Sequence, residues 1–122
     1  MESLIDIINN KQLRTDKEGR HRYCSTFYDS EFANFRDKNI KLLEVGISTG
    51  ASLVLFNEYF QNSEIYGLDL KDYDSYAFCQ PYSRIKTIYE DAYSKSVADS
   101  LPNFDIIIDD GPQIGRAHVW TP

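Results

Sequence analysis

The sequence predicts an α/β fold in which a doubly wound parallel sheet follows an N-terminal helical segment. Short apolar runs alternate along the chain with segments whose apolar residues recur at helical spacing, and this alternation is typical of βαβ units. The run at residues 104–109 is apolar enough for a strand that is buried on both faces. A length of 122 residues, 42% of them hydrophobic, fits one domain with a core of its own.

Residues 1–39 are predicted to be helical on either side of a polar loop. Residues 2–9 carry an apolar stripe at helical spacing, which predicts a short first helix. A charged stretch at 9–22 interrupts the pattern and is predicted to be irregular. Residues 23–35 place aromatic side chains at helical spacing, so a second helix is predicted, with its aromatic stripe facing inward.

From residue 40 the pattern changes to strands and helices in alternation. Strands are predicted at residues 40–46, 64–70, 83–89 and 104–109, and helices between them at 51–60 and 95–101. The stretch 71–76 is polar and aromatic and is predicted to be a surface loop, although it could also border a ligand. A doubly wound domain normally has about six strands, so residues 40–113 are predicted to be only the N-terminal part of one.

The charge balance excludes several classes of partner. There are 19 acidic and 13 basic residues, and the net charge of −6 argues against nucleic acid or an anionic membrane, because phosphate attraction needs a basic face. No apolar run reaches the roughly 18 residues of a membrane helix, and the first residues lack the basic region of a secretory signal. Cys24 and Cys79 are isolated, which predicts reduced thiols in a cytoplasmic protein, with a lone disulfide as the alternative.

The most informative motif joins the first predicted strand to the following helix. It reads Glu44-Val45-Gly46-Ile47-Ser48-Thr49-Gly50. Gly46 allows a sharp turn close to a ligand, Gly50 allows tight packing at the helix start, and the exposed amides can receive a polar group. Ser48 stands where the dinucleotide fingerprint has its middle glycine, which disfavours a bound pyrophosphate. A purely structural turn is the alternative.

Acidic residues follow three further strands. Asp69 closes the second strand, where a carboxylate can accept hydrogen bonds from ribose hydroxyls, and Asp91 follows the third. Asp109 and Asp110 form a pair at the end of the fourth, where hard divalent cations such as Mg²⁺ would find carboxylate ligands. Each acid alone could be a solvated loop residue, and the pair could be turn chemistry. Together they mark the strand edge at which open α/β sheets bind ligands.

These residues carry a family resemblance. The glycine motif with Asp69 resembles the cofactor motif of class I S-adenosylmethionine-dependent methyltransferases, which have a Rossmann-like fold. The segment 106–112 resembles the IIDDGSH segment of a subgroup that includes macrolide-sugar O-methyltransferases and cephalosporin hydroxylase-like proteins. Thr15-Asp16-Lys17 with His21 and Tyr23 resembles the TDKG…HxYxxxY segment of the same subgroup. Three positions depart from the pattern: Glu18 replaces glycine, Phe27 replaces tyrosine and Gln113 replaces histidine.

The resemblance implies an enzyme that methylates a hydroxyl of a small molecule or glycan. It implies S-adenosylmethionine as cofactor, and its binding residues would be Glu44, Gly46, Gly50, Asp69, Asp91 and His21. It also implies Mg²⁺ held by Asp109 and Asp110, with Asp110 and residue 113 as the catalytic positions. His21 could instead be a solvated loop residue. The alternative functions are a nicotinamide-dependent oxidoreductase, which lacks its GxGxxG here, and a non-catalytic nucleotide-binding domain.

The last nine residues, 114–122, are interpreted as a sequencing artefact. They match, codon by codon, the start of a common short-read sequencing adapter in which TGA is read as Trp. The adapter's first two bases would complete the codon of Gln113, so the natural gene is predicted to encode histidine there. Without later strands the fourth strand is expected to lack a neighbour, and the chain as written is predicted to be insoluble or molten.

Overall fold

A computed structural model describes residues 2–13, 29–92, 94–109 and 118–120. The helices are α1 (Leu4–Lys11), α2 (Asp29–Phe32), α3 (Ala51–Tyr59), α4 (Ser75–Cys79) and α5 (Lys95–Ser100). The strands are β1 (Lys41–Val45), β2 (Glu64–Asp69), β3 (Ile85–Tyr89), β4 (Ile106–Asp109) and β5 (His118–Trp120). They form one sheet in the order β3-β2-β1-β4-β5, in which β1 to β4 are parallel and β5 is antiparallel to β4. The predicted parallel α/β sheet is confirmed.

Side chains alternate across the sheet and bury one core on each face. Leu42, Ile65 and Ile106 pack with α1 and α3 in the larger core. Leu43 and Tyr66 point to the other face, where they pack with Val97 of α5. Helices therefore cover both faces, which is the doubly wound arrangement that near-continuous apolar strands require.

The ends of α1 and α3 are fixed by side chains. Ser3 caps α1, since its Oγ accepts the amide N–H of Asp6 and the Asp6 carboxylate accepts the N–H of Ser3. Helix α3 is buried over almost its whole length, so the carbonyls at its end cannot turn to water. Arg84 satisfies them by donating to the carbonyls of Asn57 and Phe60, each at 2.8 Å. Within the described residues no helix is long and apolar enough to span a membrane.

One expectation about local structure needs correction, and a second is tested only in part. The predicted surface loop at 71–76 contains the start of α4, a helix too short to show an apolar period. It begins there because the Asp72 carboxylate accepts the amide N–H of Tyr76 at 3.1 Å. The helix predicted over 23–35 is described only from residue 29, where α2 is followed by a single 3₁₀ turn at Ala33–Phe35.

The expectation that β4 lacks an outer neighbour is wrong. The backbone of β5 pairs with it in antiparallel register, which places Trp120 opposite Ile107 and His118 opposite Asp109. An antiparallel strand can return to an edge directly, without the long crossover that a parallel strand needs. Ile107 and Ile108 therefore lie inside the sheet, and their backbone is paired on both sides.

Candidate functional site

The carboxyl ends of the four parallel strands lie along one side of the sheet. The order in which strands are added reverses after β3. Strands β1, β2 and β3 progress to one side, and β4 is added on the other side of β1. The carboxyl ends of β1 and β4 therefore flank a topological switch point, which is where open α/β sheets bind ligands. The segment Gly46–Gly50 leaves β1 at this point, and we call it the glycine loop.

The glycine loop turns through three residues in left-handed conformation. The φ angles of Gly46, Ser48 and Gly50 are 90°, 54° and 93°. Glycine adopts these angles without steric cost, whereas serine at positive φ is uncommon and needs support from its surroundings. The sharp turn predicted at Gly46 is present, and its amide N–H continues the ladder by donating to the Leu68 carbonyl at 2.8 Å.

Asp69 holds the glycine loop from the neighbouring strand. Its Oδ2 accepts the amide N–H groups of Ile47 at 2.8 Å and Ser48 at 3.1 Å. Its Oδ1 accepts the N–H of Leu70 at 2.8 Å. Each carboxylate oxygen has two acceptor positions, so Oδ1 retains one for a ligand. The sequence predicted Asp69 as a ligand acceptor, and its bonds to the loop amides were missed.

Gly50 is the point where the loop meets α4. A Cβ atom on Gly50 would lie 2.8 Å from the Sγ of Cys79 and 3.3 Å from the Cβ of Ser75. The predicted close packing at Gly50 is therefore present, and the packing partner is the helix that the sequence did not reveal. Gly67, inside β2, is a second site of close packing, because a Cβ atom on Gly67 would lie 2.5 Å from the Cδ1 of Leu53. A glycine inside a strand pattern is the signal that could have found it.

Glu44 is fully buried in β1 beneath the glycine loop, opposite Gly67 and Ile108 in the strand register. Glu44 is close enough to affect the titration of Cys79, which lies in the helix that packs on Gly50. The pKa of Cys79 is raised from 9.0 to about 11, first by burial, then by the negative charges of Glu44 and Asp72. The Cys79 thiol is therefore protonated at neutral pH and behaves as a small apolar group.

The remaining predicted site residues are spread along the same edge. Asp91 is exposed, two residues after β3, and its carbonyl accepts the N–H of Ser94 at 3.2 Å. Asp109 ends β4 beside Val45, so it and Asp69 flank β1 about 10 Å apart by ordinary strand spacing. His21, Asp110 and Gln113 lie outside the described residues, as does Cys24. Among the residues that are described, no three His, Cys, Asp or Glu side chains form a candidate metal cluster.

Sequence comparison finds relatives of one kind. The chain is 32% identical over 114 residues to 8-demethyl-8-alpha-L-rhamnosyl tetracenomycin-C 2'-O-methyltransferase of Streptomyces olivaceus, which covers 88% of this chain and 30% of the relative. It is 34% identical over 118 residues to demethylmacrocin O-methyltransferase of Streptomyces fradiae, covering 88% and 29%. The chain thus spans about 30% of the length of the curated relatives it matches. No protein-family model matches it.

Comparison with solved structures finds the same kind of protein. MycE methyltransferase from the mycinamycin biosynthetic pathway, in complex with Mg and SAH, matches 93% of this chain and 30% of its own with a TM-score of 0.74 and 28% identity. A second structure of that protein, which also contains mycinamycin VI, matches equally well. These findings confirm the resemblance to sugar O-methyltransferases and the Rossmann-like fold that the sequence predicted.

Proposed function

We propose that this chain, a relative of the sugar O-methyltransferases, is the cofactor-binding part of an S-adenosylmethionine-dependent enzyme that methylates a hydroxyl of a small molecule or glycan. The observation that carries the proposal is the glycine loop, held by Asp69 at the switch point of the sheet. The similar proteins are O-methyltransferases, and the solved relatives were crystallised with SAH. We place the protein in the cytoplasm, in line with its unpaired thiol Cys79.

The loop and its neighbours suit an adenosine-type ligand. The turn at Gly46 brings backbone to the crevice without a side chain, and the free acceptor position on Asp69 Oδ1 can take one ribose hydroxyl. Asp91, which follows β3, is proposed as a contact at the adenine end, and His21 is proposed as a cofactor contact from the resemblance alone. Glu44 is proposed to act from beneath the loop, because its side chain is fully buried in β1.

Bound S-adenosylmethionine would supply an electrophilic methyl group, so this chain needs chiefly to align and desolvate the reactants. Asp69 keeps the loop amides in place before the ligand arrives, which lowers the entropy lost on binding. Asp110 and residue 113 are proposed to face the acceptor. A histidine at 113 could take the hydroxyl proton at neutral pH, whereas Gln113 can only hydrogen-bond it.

Mg²⁺ is proposed as a second ligand of the whole protein. Asp109, at the end of β4, is a hard oxygen ligand beside the switch point and fits such an ion. A single carboxylate is a partial site, and its proposed companion Asp110 lies outside the described residues. We therefore propose Asp109 as a candidate ligand of the ion.

Thermal unfolding with ligands tests the proposal. S-adenosylhomocysteine should raise the melting temperature of the complete protein, because a ligand that binds only the native state stabilises it, whereas NAD should not. Asp69→Ala should weaken S-adenosylhomocysteine binding by about 1–3 kcal/mol through loss of a charged acceptor. Asp99→Ala is the control, since that carboxylate is exposed on α5 and pairs with Lys95.

The outcomes separate the candidate functions. Stabilisation by NAD without stabilisation by S-adenosylhomocysteine would favour a nicotinamide-dependent oxidoreductase. If Asp69→Ala and Asp99→Ala weaken S-adenosylhomocysteine binding equally, Asp69 is not part of the binding site. Binding without methyl transfer by the complete protein would leave a non-catalytic nucleotide-binding domain as the better description.

A further inference from the structure

Helix α4 is the element that covers the helix end of the glycine loop, yet it has only five residues. Helices of this length are not stable alone in water, so neighbours must hold it. It touches Gly50 through Cys79 and Ser75, with no side chain on the glycine to separate them. The Sγ of Cys79 also lies 3.7 Å from the Gly50 carbonyl oxygen, as a weak hydrogen-bond donor.

Three side chains hold the start of α4 against the sheet. Ser75 is fully buried, and its Oγ lies 3.2 Å from Asp72 Oδ1 and 2.6 Å from the hydroxyl of Tyr89. A serine hydroxyl has one proton, so if it donates to the carboxylate it must accept from the tyrosine. The chain of donors then runs from Tyr89 to Ser75 to Asp72, and Asp72 also accepts the amide N–H of Tyr76.

Tyr89 connects this network to the sheet. It is the last residue of β3, opposite Asp69 in the strand register. The ends of the neighbouring strands β2 and β3 thus provide two supports for the glycine loop. Asp69 holds the amides of Ile47 and Ser48, and Tyr89 holds α4, which packs on Gly50.

We propose that Tyr89, Ser75 and Asp72 are positioning residues that fix the glycine loop for its ligand by holding α4 against Gly50. None of the three needs to touch the ligand, and the proposal rests on the function proposed above. Gly50 caps α3 at a φ of 93°, and its carbonyl accepts the amide N–H of Val54. A displaced α4 would leave this left-handed residue without its packing partner, and the loop amides would become more mobile.

The test removes one hydroxyl and leaves the ring in place. Tyr89→Phe should weaken S-adenosylhomocysteine binding about three- to tenfold, the usual effect of one lost hydrogen bond, as measured by calorimetry at a temperature where the protein is fully folded. Tyr82→Phe is the matched control, because Tyr82 is also half-buried on this side and its ring, rather than its hydroxyl, contacts Lys11. It should leave binding unchanged.

Amide hydrogen exchange separates positioning from general destabilisation. In Tyr89→Phe, exchange should accelerate at Ile47, Ser48 and Gly50 while the amide of Ile7 in α1 keeps its protection. If Tyr89 only stabilised the fold as a whole, its substitution would accelerate exchange at all four amides together. If Tyr89→Phe does not fold, Ser75→Ala takes its place in both measurements, because it removes the same bond from the other side.

Each outcome decides the proposal. Unchanged affinity and unchanged loop exchange in Tyr89→Phe would overturn it, and so would the same losses in Tyr82→Phe. If the complete protein without substitutions binds no S-adenosylhomocysteine, the proposed function fails, and the exchange measurements alone decide whether the network positions the loop.

Discussion

At the scale of single residues, the site depends on groups that have more than one task. Asp69 accepts three backbone N–H groups in addition to any ligand hydroxyl, so it shapes the loop that it is proposed to serve. Gly50 provides a left-handed helix cap and also the space that Cys79 occupies. A substitution at either residue therefore affects loop geometry and ligand contact together, which is why we choose Tyr89 to separate the two.

Cys79 gives a residue-scale prediction about pH. Its pKa is about 11 in the folded protein against 9.0 unperturbed, so between these values the folded state keeps a proton that the unfolded state releases. Stability is therefore unaffected below pH 9 and falls as the pH rises from 9 towards 11. The difference in unfolding free energy between the unaltered chain and Cys79→Ala should shrink by about 1 kcal/mol by pH 10.

Urea unfolding at pH 8, 9 and 10 measures this difference, and other titrating groups cancel between the two proteins. A difference that stays constant over this range would show that the thiol is not buried against Gly50 as described.

At the scale of elements, α3 depends on an arginine supplied by the start of β3. Arg84 donates to the carbonyls of Asn57, Phe60 and Ser63 and to the Ser63 hydroxyl, at 2.8–3.2 Å. The carbonyls of Asn57 and Phe60 lie at the end of a helix that has eight buried residues out of nine, so water cannot replace the guanidinium easily. The planar fork of arginine suits several acceptors at once, whereas lysine offers a single ammonium.

Arg84→Lys is therefore expected to lower the unfolding free energy by about 1–3 kcal/mol, although it keeps the charge. Lys71→Arg is the control, because Lys71 is exposed and the exchange also keeps the charge, and it should change stability by less than about 0.5 kcal/mol. Chemical denaturation of both variants checks the prediction. Equal stability of Arg84→Lys and the unaltered chain would show that water satisfies the carbonyls instead.

At the scale of the whole molecule, β5 covers the outer side of the apolar strand β4. Ile106 and Ile108 are fully buried, and the backbone of β4 is paired with β1 on one side and β5 on the other. Without β5 this apolar strand would be an open edge, which is a template for association between chains. The edges of the described sheet are then β5, which has three residues, and β3, which has five residues and carries the exposed charge of Lys86, which opposes such pairing.

Deleting residues 114–122 should therefore make the chain self-associate at lower concentration. Light scattering over a concentration series compares the full chain with the deletion and with a variant in which residues 118–120 are replaced by glycine and serine. Both altered chains should scatter more than the full chain. If the deletion stays as monodisperse as the full chain, β5 does not protect the edge.

The sequence by itself determined the order and type of the main elements and the position of the glycine loop. Apolar periodicity is local, so the strands that end at Val45, Asp69 and Asp109 are readable from a few neighbouring residues. The two glycines of the loop are equally local signals, because they mark backbone that other residues cannot adopt.

Only the tertiary structure decided what those residues contact. The bond from Asp69 to Ile47 spans 22 positions, and the contact of Cys79 with Gly50 spans 29, so no local pattern encodes them. Helix α4 is held by the Asp72–Ser75–Tyr89 network rather than by an apolar period of its own, and β5 exists through pairing with β4. Such elements are stable only through long-range contacts, and a chain must fold before those contacts form.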